Sequence, residues 1–214
     1  VVMSDHGMNY EGNHGGATFQ ETSASLFFFT PKQRAFANPI TTPLPNPANP
    51  HTYASVSQID IVPTISMLLG APIPFGSLGM IIPELFWDSN NPSELLDPLH
   101  VNSAQLLRYL SELEKNDNRF PTDEMKTLKQ LFDEAKEAHA AWQLSGMPSS
   151  PQDLPAIQRI LELYKDFHTK AVDMCRRLWT TFDTDKMSLN ALIMSASAII
   201  PGFLTLINTR TIHR

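Results

Sequence analysis

Asp5 and His6 stand side by side at the end of a short apolar run, Gly7 follows them, and His14 lies among glycines in "GNHGG". Carboxylate oxygen and imidazole nitrogen are the donors that divalent ions used in phosphoryl chemistry accept. Successive residues of a strand point to opposite faces, so Asp5 and His6 share an ion only where the chain leaves strand geometry, which Gly7 permits. The seven residues between His6 and His14 close a loop at little entropic cost. Three ligands do not fill two metal sites, and nothing downstream offers a second set of carboxylates.

Each of these residues also has a plainer role. An aspartate at a strand end is ordinarily a turn or cap former, and an isolated histidine is ordinarily structural. The combination points to metal. His51, His100, His139 and His168 lie in a proline-rich stretch or on helices without partner carboxylates and read as structural. Cys175 falls on an apolar helix stripe, where packing explains it better than a reactive thiol. Glu21 and Thr22 are within reach of the site, but Thr22 lacks the supporting base or strand-to-helix elbow of a nucleophile.

The elements that must position these groups are few. Val1 to Ser4 reads as the carboxyl end of a buried parallel strand whose beginning is missing, so the chain is expected to be a piece of a larger domain. "SASLFFFTP", Ser23 to Pro31, suits a central strand. Pro39 to Pro50 must be an extended exposed loop. In "QIDIVPTISMLLGAPIP", Asp60 caps a helix, Pro63 fits its first turn and Gly70 ends it, giving a short helix packed on a sheet. Leu78 to Trp87 reads as irregular, with a single strand or turn of helix at most.

From His100 the period becomes helical. Leu106, Leu107, Leu110 and Leu113 make one face, and Met125, Leu128, Leu131, Phe132, Ala135 and Trp142 a second. Ile157, Ile160, Leu161, Tyr164, Phe167, Ala171, Met174, Cys175, Leu178 and Phe182 make a third. Thr122 and Asp153 mark helix starts and Gly146 a stop, so a small antiparallel bundle is expected. Ser188 to Ile207 carries no charge and is long enough for a bilayer-spanning helix, with a buried core helix as the alternative. Basic residues flank it on both sides, so charge does not set its orientation. The expected division is a catalytic part over 1–98, an amphipathic helical segment over 99–186 and a membrane helix with its flank over 187–214.

A net charge of −6 repels phosphate backbones, which argues against nucleic acid as partner. One cysteine makes no internal disulfide, so the redox compartment is not legible from cysteine usage.

In order and spacing, "SDHGMNYEGNHGG", "ETSASLFFFTP", "QIDIVPTISMLLGAPIPFGSLG" and "PELF" resemble the carboxyl half of the catalytic domain of the GPI ethanolamine phosphate transferases, within the alkaline phosphatase superfamily. "LHVNSAQLLRYL" and "AVDMCRRLWTTF" are similar to the type that modifies the third mannose, with the second-mannose type a close rival. The resemblance implies an α/β fold: the C-terminal part of an alkaline-phosphatase-like sheet domain, then a helical segment, then the start of a membrane helix. It implies that Asp5 and His6 ligate one of two divalent, zinc-type ions and His14 the other, while the family's threonine nucleophile matches no residue here. It further implies a phosphatidylethanolamine donor, a GPI-mannose glycolipid acceptor, a small membrane partner subunit, and an endoplasmic reticulum membrane location with a lumenal catalytic domain. The competing readings are a soluble phosphodiesterase or sulfatase of the same superfamily and a non-enzymatic helical interaction module.

Overall fold

The computed structural model describes residues 1–29, 55–88, 91–116, 120–146, 153–180, 184, 187–195 and 197. The chain divides into two units, Val1–Pro43 and Leu44–Arg214. The proline-rich stretch Pro39–Pro50, His51, Phe182 and most of 196–207 lie outside the described residues.

In the first unit, β1 (Val2–Met3) pairs antiparallel with β2 (Leu26–Phe27), Val2 opposite Phe27 and Met3 opposite Leu26. This corrects the expectation of a buried parallel strand, because Val2 and Met3 are exposed. A parallel partner needs a crossover of a dozen residues or more, usually a full helix. The chain instead returns through a loop and the single helical turn α1 (Phe19–Thr22), which suits an antiparallel return. Among the described residues the sheet is confined to this pair.

The second unit is helical. α2 (Ile61–Leu68) follows a 3-10 turn at Gln58–Asp60, and the chain turns out of it at Gly70 with φ +66°. Within its own unit α2 packs against irregular chain. Its first turn holds the segment Gly79–Ile82, where three successive amides find side-chain acceptors. Met80 N–H donates to Asp60 Oδ1 (2.9 Å), Ile81 N–H to Asn102 Oδ1 (2.9 Å) and Ile82 N–H to Thr64 Oγ1 (2.9 Å). Asn102 Nδ2 donates in turn to Gly79 O (3.2 Å). Asp60 therefore does not cap α2 as its sequence position suggests. Its carboxylate serves Met80 and Ser57, and burial holds it above the ordinary carboxylate range against those two bonds. Gly79 is required because a Cβ there would overlap the Ile59 carbonyl. Buried amides without a sheet partner must be satisfied somehow, and this segment uses side chains from two helices. A 3-10 turn at Pro83–Leu85 completes the irregular stretch.

α3 (Ser93–Asn116), α4 (Thr122–Leu144) and α5 (Leu154–Thr180) pack on one another as a three-helix bundle. α3 starts earlier than the helical period from His100 suggests and runs through Pro98. Leu95 and Leu96 amides bond back to Pro92 O, so the first turn is formed before the proline removes a donor. The core is Leu95, Leu96, Leu99, Leu106 and Leu110 of α3, Met125, Leu128, Phe132, Ala135 and Trp142 of α4, and the stripe from Ile157 to Cys175 on α5. Leu107, Leu113, Leu131 and Leu178 sit half-buried at the edges of these faces. Cys175 is buried and its thiol is pushed up to about 11, which makes it inert packing.

Three histidines lie inside this bundle, and they are not without partners. His139 Nε2 is 3.3 Å from Asp97 Oδ1, and Gln143 Nε2 donates to the same oxygen. His100 Nδ1 lies 2.9 Å from the Tyr164 hydroxyl, which lies 3.5 Å from His139 Nδ1. One proton arrangement satisfies the whole chain of contacts: His100 Nδ1–H donates to Tyr164, Tyr164 O–H to His139 Nδ1, and His139 Nε2–H to Asp97. This joins α3, α4 and α5 through neutral rings. His168 pairs with Ser103 (3.0 Å), whose hydroxyl donates to Leu99 O. Its Nδ1 is buried with no hydrogen-bond partner.

Residues 187–195 are helical, with Met187, Leu189, Leu192, Ile193 and Met194 exposed. Among the described residues no helix is long and apolar enough to cross a membrane.

Two outcomes follow for stability. Asn102→Ala leaves the buried Ile81 amide unpaired and is expected to cost roughly 1–3 kcal/mol in denaturant unfolding. Burial lowers His100, His139 and His168, the last to about 3, so the unfolded chain binds protons that the folded chain refuses once pH drops below 6.5. The melting temperature is expected to hold above that pH and fall as pH declines from about 6 to about 4, with His168→Gln flattening the decline.

Candidate functional site

Ser4 leaves β1 by donating its backbone N–H to Ser25 O (3.1 Å), and its hydroxyl then donates to His6 O (2.7 Å). This closes a tight turn that presents Asp5 and His6 on the same side of the chain. His6 N–H donates to Asp5 Oδ1 (3.0 Å), and Asp5 Oδ2 lies 3.7 Å from His6 Nε2. The other ring nitrogen, Nδ1, is 2.8 Å from Gly7 O, a carbonyl that can only accept. Nδ1 therefore carries a proton, and Nε2 is the nitrogen that faces the Asp5 carboxylate and would bind a metal.

Gly7 matters here for a different reason than backbone bending. A Cβ on it would overlap the carbonyl oxygens of Gln20 and Ser23, so the turn lies directly against the carbonyl end of α1. Its N–H donates to Glu21 O (3.0 Å).

The loop bearing His14 is built on Asn9. Asn9 Oδ1 accepts from the amides of Glu11 (3.0 Å) and Asn13 (2.9 Å), Asn9 N–H donates to Asn13 O, and Gly12 turns the chain at φ +81°. Gly15, at φ +88°, turns it again just past His14. The result brings His14 over His6 with ring centroids 5.0 Å apart and planes 3° from parallel. The three residues singled out in the sequence are thus neighbours. Among the described residues, no three His, Cys, Asp or Glu side chains converge closely enough to hold one ion.

Two ligands of a tetrahedral zinc-type ion sit about 3.3 Å apart, from bond lengths of about 2.0–2.1 Å. The Asp5 Oδ2 to His6 Nε2 separation is within a few tenths of an ångström of that span, and the tautomer of His6 is already the one a metal needs. The Asp5–His6 pair fits a divalent ion. His14 is set beside the pair, its ring stacked on that of His6.

Glu21 is the residue whose part sequence reasoning missed. Its side chain is buried, and it accepts from Gly16 N–H (3.2 Å), Thr18 N–H (3.3 Å) and Thr18 Oγ1–H (2.5 Å). The Thr18 hydroxyl holds its carboxyl below the ordinary range; burial opposes this, while the two backbone bonds and the nearby His14 ring assist. Thr18-x-x-Glu21 is a capping box at the start of α1, a pattern legible in "TFQE". Thr22 donates its hydroxyl to Thr18 O (2.9 Å), which commits it to the helix turn and agrees with its reading as no nucleophile.

Compared with curated proteins, the chain is 33% identical to the catalytic subunit of GPI ethanolamine phosphate transferase 3 of Homo sapiens, over 95% of this chain and 19% of that protein. It is 41% identical to GPI ethanolamine phosphate transferase 2 of Aspergillus fumigatus, over 50% of this chain and 14% of that one. It is 50% identical to GPI ethanolamine phosphate transferase 2 of Saccharomyces cerevisiae, over 39% of this chain and 11% of that one. The chain thus spans about a fifth of the length of the first of these relatives. No protein-family model and no solved structure matches it.

Gly7→Ala is expected to push the Asp5–His6 turn off α1. By overpacking against backbone it should cost roughly 1–3 kcal/mol and broaden or shift the His6 and His14 imidazole resonances in a proton–nitrogen correlation spectrum.

Proposed function

Since the chain is homologous to a segment of the GPI ethanolamine phosphate transferases over nearly its whole length, we propose that it carries part of the metal site of such an enzyme. The reaction is transfer of phosphoethanolamine from phosphatidylethanolamine to a mannose hydroxyl of the GPI precursor, with the third mannose favoured by the helical stretch. The agreement with a type 3 catalytic subunit over 95% of this chain supports this reading. The geometry of Asp5, His6 and His14 is its chemical support.

In that reading Asp5 Oδ2 and His6 Nε2 hold one zinc-type ion and His14 a second, with the remaining carboxylates and a threonine nucleophile supplied by a segment of the full protein outside this chain. Bound there, such ions would stabilise the attacking and leaving oxygens of an in-line displacement at phosphorus. What this chain contributes is orientation. Gly7 O accepts the His6 Nδ1 proton and keeps Nε2 free for binding. The Asn9 turn and the positive-φ glycines fix the approach of His14. Exposure of Asp5 and His6 on one side leaves room for the missing ligands.

The donor and acceptor are both lipid-linked, which suits a membrane enzyme with its catalytic part in the lumen of the endoplasmic reticulum. The uncharged Ser188–Ile207 segment would supply one anchor. The human relative is called a catalytic subunit, and we extend to this protein a small membrane partner.

In the full protein, Asp5→Asn and His14→Ala are each expected to lower phosphoethanolamine transfer to GPI-mannose by about a hundredfold or more, with the protein still present at normal level in membranes. A helical interaction module would tolerate both substitutions.

A further inference from the structure

Glu21 reaches both ligand-bearing segments at once. Its backbone carbonyl accepts the N–H of Gly7, the residue after His6. Its carboxylate accepts the N–H of Gly16, two residues past His14, together with the N–H and hydroxyl of Thr18. The residue is 7% exposed in a unit whose other polar residues lie largely in water. Gly16 is shaped for it, since a Cβ there would stand 2.5 Å from Glu21 Oε2 and 2.7 Å from Oε1.

A buried carboxylate stays ionised only where its oxygens are supplied with donors, and here three donors come from the return arm of the His14 loop. Gly12 and Gly15 leave that loop with little stiffness of its own. Its outgoing arm is fixed by Asn9 and its return arm by Glu21. Removal of the carboxylate frees the return arm, and the ring-to-ring spacing of His6 and His14 loses its constraint.

We propose that Glu21 is a positioning residue for the metal site: it touches neither ion, but it sets the distance between the Asp5–His6 pair and His14, and so the affinity for the ion on the His14 side. The inference rests on the metal reading given above. Outer partners of this kind typically change metal affinity by 10–100-fold.

The test uses the purified full protein, with zinc content per chain measured after dialysis against a weak chelator and zinc affinity measured by competition. His14→Ala is expected to lose one ion. Glu21→Ala and Gly16→Ala are expected to weaken that same ion about 10–100-fold, and Glu21→Gln, whose amide oxygen still accepts one backbone N–H, to recover part of the loss. Gly16→Ala displaces the flexible end of the Glu21 side chain without removing its carboxylate, so it supplies a second variant to measure where Glu21→Ala folds poorly. Full zinc affinity in Gly16→Ala and Glu21→Ala alongside loss in His14→Ala overturns the positioning role and leaves the metal reading standing. So does a lowered metal-free melting temperature with unchanged zinc binding. Unchanged zinc in His14→Ala removes the metal reading and this inference with it.

Discussion

The absence of a side chain at Gly7 is the constraint on which the site depends. Without a Cβ, the turn holding Asp5 and His6 can lie against the Gln20 and Ser23 carbonyls at the end of a helix only one turn long. Such a helix has almost no stability of its own, because nucleation fixes several dihedrals for one hydrogen bond. It is stabilised by what it touches: the Gly7 amide on the Glu21 carbonyl, and the Thr18–Glu21 capping box at its start. The Asp5–His6 turn and the helix therefore order each other, and the His14 loop joins them through the Glu21 carboxylate. Two imidazoles end up stacked at 5.0 Å from segments that have few other reasons to meet.

The helical unit solves a different problem. Its core is ordinary, a set of leucine, isoleucine and aromatic stripes, each buried side chain contributing about 1.5–3 kcal/mol of transfer free energy. Its specificity lies in the polar groups the stripes enclose. Asp60, Thr64 and Asn102 take up three successive amides of the segment after Gly79, which fixes an irregular stretch against two helices without a sheet. The His100–Tyr164–His139–Asp97 chain ties three helices in one register. Salt bridges such as Arg177–Glu124 and Arg159–Glu134 decorate the outside and add at most about 1 kcal/mol each.

Much of this was legible before any coordinates. The α5 stripe from Ile157 to Cys175 follows a 3.6 period, and acidic residues fill the first turn of α4, so α4 begins at Thr122 and α5 at Leu154, next to the starts the sequence marks, although the N-cap of α4 is Pro121 and makes no side-chain cap bond. α3 begins at Ser93, before the helical period that starts at His100, because a proline in the second helical turn costs one hydrogen bond and is outweighed by Leu95, Leu96 and Leu99 in the core. Strand direction is not legible in the three apolar residues Val1, Val2 and Met3, since periodicity reports which face is buried and not which way a partner runs. Asp5, His6 and His14 were legible as types with spacing. Their proximity was not, because it depends on a glycine contact and on the buried Glu21. The Asp97–His139 pair was missed for a similar reason: the residues are far apart in sequence and meet only when α3 and α4 pack.

In the proposed function, His6 and His14 both present imidazole nitrogen to protein-bound divalent ions. A zinc K-edge X-ray absorption spectrum of the purified full protein tests this most directly. Nitrogen and oxygen neighbours at about 2.0–2.1 Å with the outer-shell scattering of coordinated imidazole, reduced when either histidine is replaced, are expected. Protein that binds no zinc, or whose spectrum lacks imidazole scattering and is unmoved by loss of both histidines, would contradict it.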